Sequence, residues 1–153
     1  MLEKTPQQIA EYVRDGMLKN DSATKSLGMN VLAISPGHAT VTMTVRADML
    51  NGFAICHGGL VTTLADTAFA YACNSRNELS VASSFTVDLL APSVLGDVLT
   101  ARAHELSKSG RTGLYDIEVL NQRGERVAVF RGRSYTLKGR PVIGGGPVTR
   151  SRT

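Results

Sequence analysis

The stretch that most constrains this chain is GGLVTTLADTAFAYACNS, residues 58–75. Leu60, Val61, Leu64, Ala65, Ala68, Phe69 and Ala72 recur at helical spacing, and the positions between them are mostly small or apolar. A helix that is apolar nearly all round belongs inside a fold. A chain of 153 residues has the length of one domain, with room for one such helix. The rest of the chain must therefore wrap it.

The wrapping material is legible as strands. Pro36-Gly37 marks a turn between an expected strand at 28–34 and a clearer one at 39–46, where Val41, Met43 and Val45 alternate with Thr40, Thr42 and Thr44. Four more are expected at 80–90, 97–107, 112–121 and 126–137, punctuated by Pro92/Gly96, Ser109-Gly110 and Arg123-Gly124. The last two connections are short enough for hairpins, which makes the sheet antiparallel. Before the strands, residues 6–19 place Ile9, Tyr12 and Val13 on one face of a short amphipathic helix, with Pro6 suited to its first turn. The expectation is an α+β fold, an antiparallel sheet curled round one long buried helix. A single domain is expected over 1–137, followed by a flexible Gly-rich tail over 138–153.

That tail settles what the charge means. The chain carries a net charge of +4 and a sequence pI of about 9.3, which invites a nucleic-acid reading. Lys138, Arg140, Arg150 and Arg152 all lie in the tail, which holds no acid, so residues 1–137 are neutral. The nucleic-acid reading then rests on pI alone. No apolar run has signal-peptide or membrane-spanning length. Cys56 and Cys73 form no CxxC pair, which points to a reduced, cytoplasmic protein. His38, His57 and His104 are too scattered for a zinc motif. There is no phosphate loop, GxSxG elbow or strand-linked GxGxxG.

Two features can carry chemistry. Asp66 is the one charged residue of the apolar helix, flanked by Leu64, Ala65, Thr67, Ala68 and Phe69. Burying a carboxylate is expensive. Asp66 is therefore either a core group satisfied by Thr62, Thr63 or a neighbouring chain, or a functional acid/base. The second feature is Asn51-Gly52-Phe53-Ala54-Ile55-Cys56-His57-Gly58-Gly59, which runs into the helix. Gly58 and Gly59 would present open N–H groups at a helix N-terminus, where the dipole favours developing negative charge. That is what an oxyanion hole requires, although the glycines could equally serve only a tight helix entry. Gly58 and Asp66 lie about 12 Å apart along a helix rising about 1.5 Å per residue. One reacting atom touches both only if two copies pack antiparallel across a two-fold axis, so a shared site implies at least a dimer.

Other groups are weaker candidates. A Cys56–His57 nucleophile pair is disfavoured, because adjacent residues point apart and nothing lowers the thiol pKa. Cys73 is most simply a small core residue. Lys108, Gly110 and Arg111, with Arg131 and Arg133, form the densest basic patch of the body. It is either a charged edge that discourages aggregation or a landing site for a phosphorylated carrier.

Taken together, NGFAICHGGLVTTLADTAFAYACNS, VASSFTVDLLAPSVLGDVLTARA and GLYDIEVLNQRGERVAVFRGRS closely resemble the phenylacetic-acid-degradation (PaaI-type) acyl-CoA thioesterases of the hotdog-fold superfamily. The resemblance covers roughly residues 25–137. It implies the hotdog fold and hydrolysis of phenylacetyl-CoA-like or hydroxyphenylacetyl-CoA-like thioesters. Asp66 would be general base or nucleophile, and the Gly58 amide would polarise the carbonyl. Asn51 would hold water or thioester, and His57 would support the loop. Gly59, Ser83 and Ser84 are expected beside the substrate. Coenzyme A is expected at the hairpin Lys108, Gly110, Arg111 and Thr112 and at Arg131. No cofactor or metal is implied beyond coenzyme A as part of the substrate, and the dimers would pair further into tetramers. The pattern departs at Ala91, where close relatives often carry a basic residue before the proline. A non-catalytic acyl-CoA binder and a thioesterase for other aryl or medium-chain groups are the alternatives. A hotdog hydratase or dehydratase is a weaker alternative, because those enzymes favour a histidine acid/base pair and the only histidine nearby, His57, precedes the glycines.

Overall fold

In the computed structural model, which describes residues 2–150, the chain opens with helices α1 (Pro6–Asn20) and α2 (Ser22–Ser26). Strands β1 (Asn30–Ser35) and β2 (His38–Thr44) follow, then a 3₁₀ turn (Ala47–Met49), helix α3 (Gly58–Asn74), and strands β3 (Glu78–Leu89), β4 (Val98–Ser109), β5 (Thr112–Leu120) and β6 (Arg126–Pro141). All six strands form one antiparallel sheet in the order β1-β2-β4-β5-β6-β3. Helix α3 lies in its concavity and packs against every strand. This is the expected α+β architecture, a helix held in a curled sheet.

Burial follows the two periodicities. Val61, Leu64, Ala65, Ala68, Phe69 and Ala72 face the sheet and meet Val41, Met43, Leu99, Ala101, Ile117 and Phe130 in one core. Gly132 allows the closest approach: a Cβ there would come within 2.9 Å of Phe69 and 3.0 Å of Phe130. The sheet covers only one side of α3. Gly59, Thr63, Asp66, Thr67 and Ala70 remain at least partly accessible along the other.

Several expectations are corrected. The buried stripe of α1 is Ala10 and Val13; Tyr12 stays outside, under the Lys4 ammonium 5.0 Å from its ring centroid. Helix α2, capped by the Asp21 carboxylate accepting from the Thr24 N–H, was not expected. Strand β6 runs beyond 137, with Pro141 opposite Glu78. Beyond it, the Ile143 N–H donates to Asn77 Oδ1, and the Arg140 guanidinium donates to the carbonyls of Gly145, Gly146 and Pro147. Arg152 lies outside the described residues.

Candidate active site

The segment before α3 is a tight loop built on Asn51. Its N–H donates to the Ile55 carbonyl at 2.8 Å, and its Oδ1 accepts from the N–H groups of Phe53 (2.9 Å) and Ile55 (3.3 Å). This is the local turn that asparagine forms well. Ala54 sits at φ 59°, a left-handed conformation that costs a non-glycine residue about 1 kcal/mol or more. Outside the loop, the Cys56 N–H donates to the Ser93 carbonyl (2.8 Å) and the His57 N–H to the Met49 carbonyl (2.9 Å). The Asn51 Nδ2 makes no hydrogen bond among the described residues.

His57 caps α3 through its backbone alone. Its carbonyl accepts from Leu60 (3.0 Å) and Val61 (3.3 Å), and its imidazole makes no cap bond. The N–H groups of Gly58 and Gly59 therefore have no acceptor among the described residues. They form the positive end of a helix of 17 residues. A Cβ at position 58 would meet only the tip of the exposed Leu89 side chain, which would have to swing aside. Leu89 was not anticipated, because nothing local in the sequence links it to Gly58.

Two turns along α3 lies Asp66. Every nearby helix hydroxyl is already committed: Thr62 donates to the Gly58 carbonyl (2.8 Å), Thr63 to the Gly59 carbonyl (2.8 Å) and Thr67 to the Thr63 carbonyl (2.7 Å). No donor among the described residues reaches the Asp66 carboxylate, so the satisfied-core reading fails within one chain. Burial pushes its pKa above the usual carboxylate value of 3.8. Burial, then the charge of Asp66, pushes the Cys73 thiol up to about 12, and burial also raises Cys56. Neither cysteine is poised as a nucleophile.

The expected substrate contacts are dispersed. Ser83 occupies a bulge in β3, its hydroxyl donating to the Arg133 carbonyl at 3.1 Å. The bulge turns Ser84 opposite Arg133, onto the face away from α3. Arg131 is on that outer face too, bound by both its Nε (2.7 Å) and an Nη (2.9 Å) to Asp116. Arg131 holds the Asp116 carboxyl below its usual range. Lys108 lies on the helix side, 3.6 Å from the Glu78 carboxylate. In the adjoining turn, Gly110 takes φ 59°, Thr112 donates to the Ser109 carbonyl, and Arg111 donates to the Tyr135 hydroxyl. The sheet thus separates Lys108 and Arg131, which the sequence grouped in one patch.

The far end of α3 is fully tied down. Arg76 grips Glu105 at 2.7 and 3.2 Å, and the Tyr115 hydroxyl donates to the same carboxylate at 2.8 Å. Burial would raise the Glu105 pKa, but the Arg76 and Tyr115 hydrogen bonds hold it below the usual range. Asn74 brackets Ser80, accepting from its N–H (2.8 Å) and donating to its carbonyl (3.0 Å).

Comparison with known proteins gives one consistent result. The thioesterase superfamily model matches residues 53–128. The acyl-coenzyme A thioesterase PaaI of Escherichia coli is 50% identical over 123 residues, which span 80% of this chain and 88% of that protein. The structure of E. coli PaaI, from the phenylacetic acid degradation operon, superposes with a TM-score of 0.87 at 47% identity, covering 88% of this chain and 98% of the other. A mutant of the phenylacetic acid degradation protein PaaI from Thermus thermophilus follows at TM-score 0.74 and 41% identity, over 76% and 100% of the two chains. A hypothetical thioesterase from Streptococcus pneumoniae, solved with coenzyme A, is 25% identical at TM-score 0.68, over 71% and 87%.

Proposed function

The chain belongs to the thioesterase superfamily, among its PaaI-type acyl-coenzyme A thioesterases, and from that premise we propose that it hydrolyses phenylacetyl-CoA or hydroxyphenylacetyl-CoA with Asp66 as general base. The carrying observation is the half-buried Asp66 carboxylate, raised in pKa by burial and without a partner among the described residues, on the helix whose first amides have no acceptor among them.

Asp66 draws a proton from a water as that water attacks the thioester carbonyl. A base placed this way contributes roughly 10²–10⁴ in rate. The Gly58 N–H receives the oxyanion, aided by the dipole of α3, and one such donor is worth about 10²–10³. The Asn51 Nδ2 steadies the thioester, and His57 holds the loop through its backbone. Collapse of the tetrahedral intermediate expels the coenzyme A thiolate, which leaves without needing a strong acid. The proton on Asp66 then passes to the departing thiolate or to solvent.

Asp66 and Gly58 act on one carbonyl only across a two-fold axis, with α3 of each protomer antiparallel to its mate. The accessible stripe of α3 and the unpaired edge of β3 support that assembly. Val81, Phe85 and Leu89 are exposed on this edge, with Leu90 just beyond it and Phe53 exposed in the loop before α3. The reading is a dimer with two shared sites, paired into a tetramer. Coenzyme A phosphates are assigned to the Lys108–Thr112 hairpin, with Gly59 and Ser83 beside the acyl-thioester. Ser84 and Arg131, both on the outer face, can serve only from another protomer. Two buried free thiols support a cytoplasmic home.

The test is thiol release across a panel of acyl-CoA esters. Phenylacetyl-CoA should give the highest kcat/KM, and Asp66→Ala should lose at least about a hundredfold. Preference for a straight-chain ester would overturn the substrate assignment, and near wild-type turnover by the variant would overturn the mechanism.

A further inference from the structure

On the face of the sheet away from α3, His38 of β2 and His104 of β4 are direct cross-strand partners. Their rings lie 4.7 Å apart between centroids, tilted by 46°. Their Nδ1 atoms are 3.1 Å apart, so one ring can donate a proton to the other only while at least one Nδ1 is unprotonated. That spacing is also the bite of a cation. Two nitrogens 3.1 Å apart, each about 2.0–2.1 Å from one ion, subtend roughly 100° at it. This falls between the cis angle of octahedral or square sites and the tetrahedral angle.

We propose that His38 and His104 form a binding site for a divalent late first-row transition-metal ion, such as Ni²⁺ or Zn²⁺, which takes the place of the shared proton and clips β2 to β4. Imidazole nitrogen is the donor such ions prefer among neutral side chains. Two stiff antiparallel strands hold the rings in place, so little ordering is left for the ion to impose. His38 is partly and His104 well exposed. His104 borders an open cavity of about 690 Å³ that also reaches Arg102, Asp116 and Arg131, leaving space for a partly hydrated ion. Asp116, opposite His104 on β5, has its carboxylate oxygens engaged by Arg131 and serves as neighbouring charge, not as a ligand. No third His, Cys, Asp or Glu completes a metal-binding set among the described residues, so water fills the remaining positions. Both thiols are buried and do not compete. The site is separate from the thioesterase chemistry and does not depend on the substrate assigned above.

Calorimetric titration of tag-free, metal-stripped full-length protein with NiCl₂ and with ZnCl₂ tests this directly. Wild type should bind one ion per chain, and Tm should rise with metal concentration. His38→Gln and His104→Gln should each weaken binding about tenfold or more and abolish the Tm rise. Asp116→Asn should weaken binding less than either histidine variant, because Asp116 contributes charge beside the ion and no ligand bond. Absence of saturable binding to wild type, equal binding by the histidine variants, or a loss in Asp116→Asn as large as theirs would each overturn the assignment.

Discussion

The two ends of α3 are made of the same helix and treated in opposite ways. At its C-terminal end every strong polar group is paired: Arg76 and Tyr115 converge on Glu105, and Asn74 holds both backbone groups of Ser80. At its N-terminal end the Gly58 and Gly59 amides have no acceptor among the described residues, the neighbouring threonines bond back to their own helix, and Ala54 is strained; halfway along, Asp66 has no partner among the described residues either. Groups that a fold needs are normally satisfied by the fold. The groups left unsatisfied, from the first turn of α3 to its midpoint, are the ones the proposed reaction uses. Ser93, whose carbonyl anchors the loop, belongs to the same end and holds the one buried side-chain oxygen without a partner among the described residues.

The largest expected effect tests whether the open end is completed by a second copy. Asp66→Ala and Gly58→Pro should each be nearly inactive. Dissociated and reassembled together, they should recover about a quarter of wild-type turnover, because half the dimers carry one intact shared site. No recovery would put both groups in one chain's site or rule out the two-fold arrangement. Separating the Gly58 amide from the space beside it comes next. His57 has ψ 131°, which suits a following proline, and proline is well tolerated at the first helical position, so Gly58→Pro removes the N–H with the helix kept. It should lose about 10²–10³ in kcat, whereas Gly58→Ala keeps the donor, displaces Leu89 and should lose about tenfold or less.

pH should distinguish Asp66 from the paired end as well. Asp66 must be ionised to act, so kcat/KM should fall tenfold per pH unit on the acid side of a pKa lying above 3.8. Glu105 is shifted the other way: its stabilisation is present above the unfolded carboxylate pKa and is lost as pH falls through its lower folded value. Glu105→Ala should therefore destabilise the protein by about 2 kcal/mol in denaturant, given that Arg76 remains partly exposed, while leaving kcat/KM of the folded enzyme unchanged. A matching loss of activity would mean that the paired end is also catalytic.

Much of this contrast was legible in the sequence. The helical period of 58–75, the alternation of β2 and the hairpin turns specify the sheet and its helix, because local pattern and global burial agree there. Asp66 and Gly58-Gly59 stood out for the same reason, as groups that an apolar helix has no local use for. What stayed hidden depends on register and distance. The bulge at Ser83 shifts the strand by one residue and sends Ser84 outward, and Arg131 pairs across the sheet with Asp116. Leu89 against Gly58 and Glu105 against Arg76 join residues about thirty positions apart in the chain. The run of β6 to Pro141 depends on its pairing with Glu78, which composition does not reveal.

The most direct measurement compares turnover and stability in Asp66→Asn, which preserves shape and removes the charge. A folded-state pKa above the unfolded one means that Asp66 contributes stability only while protonated, and this is lost as pH rises through the folded value, so at pH 7 the carboxylate is a cost. Because the group is only half buried, the gain on its removal should be under about 1 kcal/mol. Turnover of phenylacetyl-CoA should fall about 10²–10⁴-fold while Tm holds or rises slightly. Turnover near wild type, or turnover and Tm falling together, would show that Asp66 serves the fold and not the reaction.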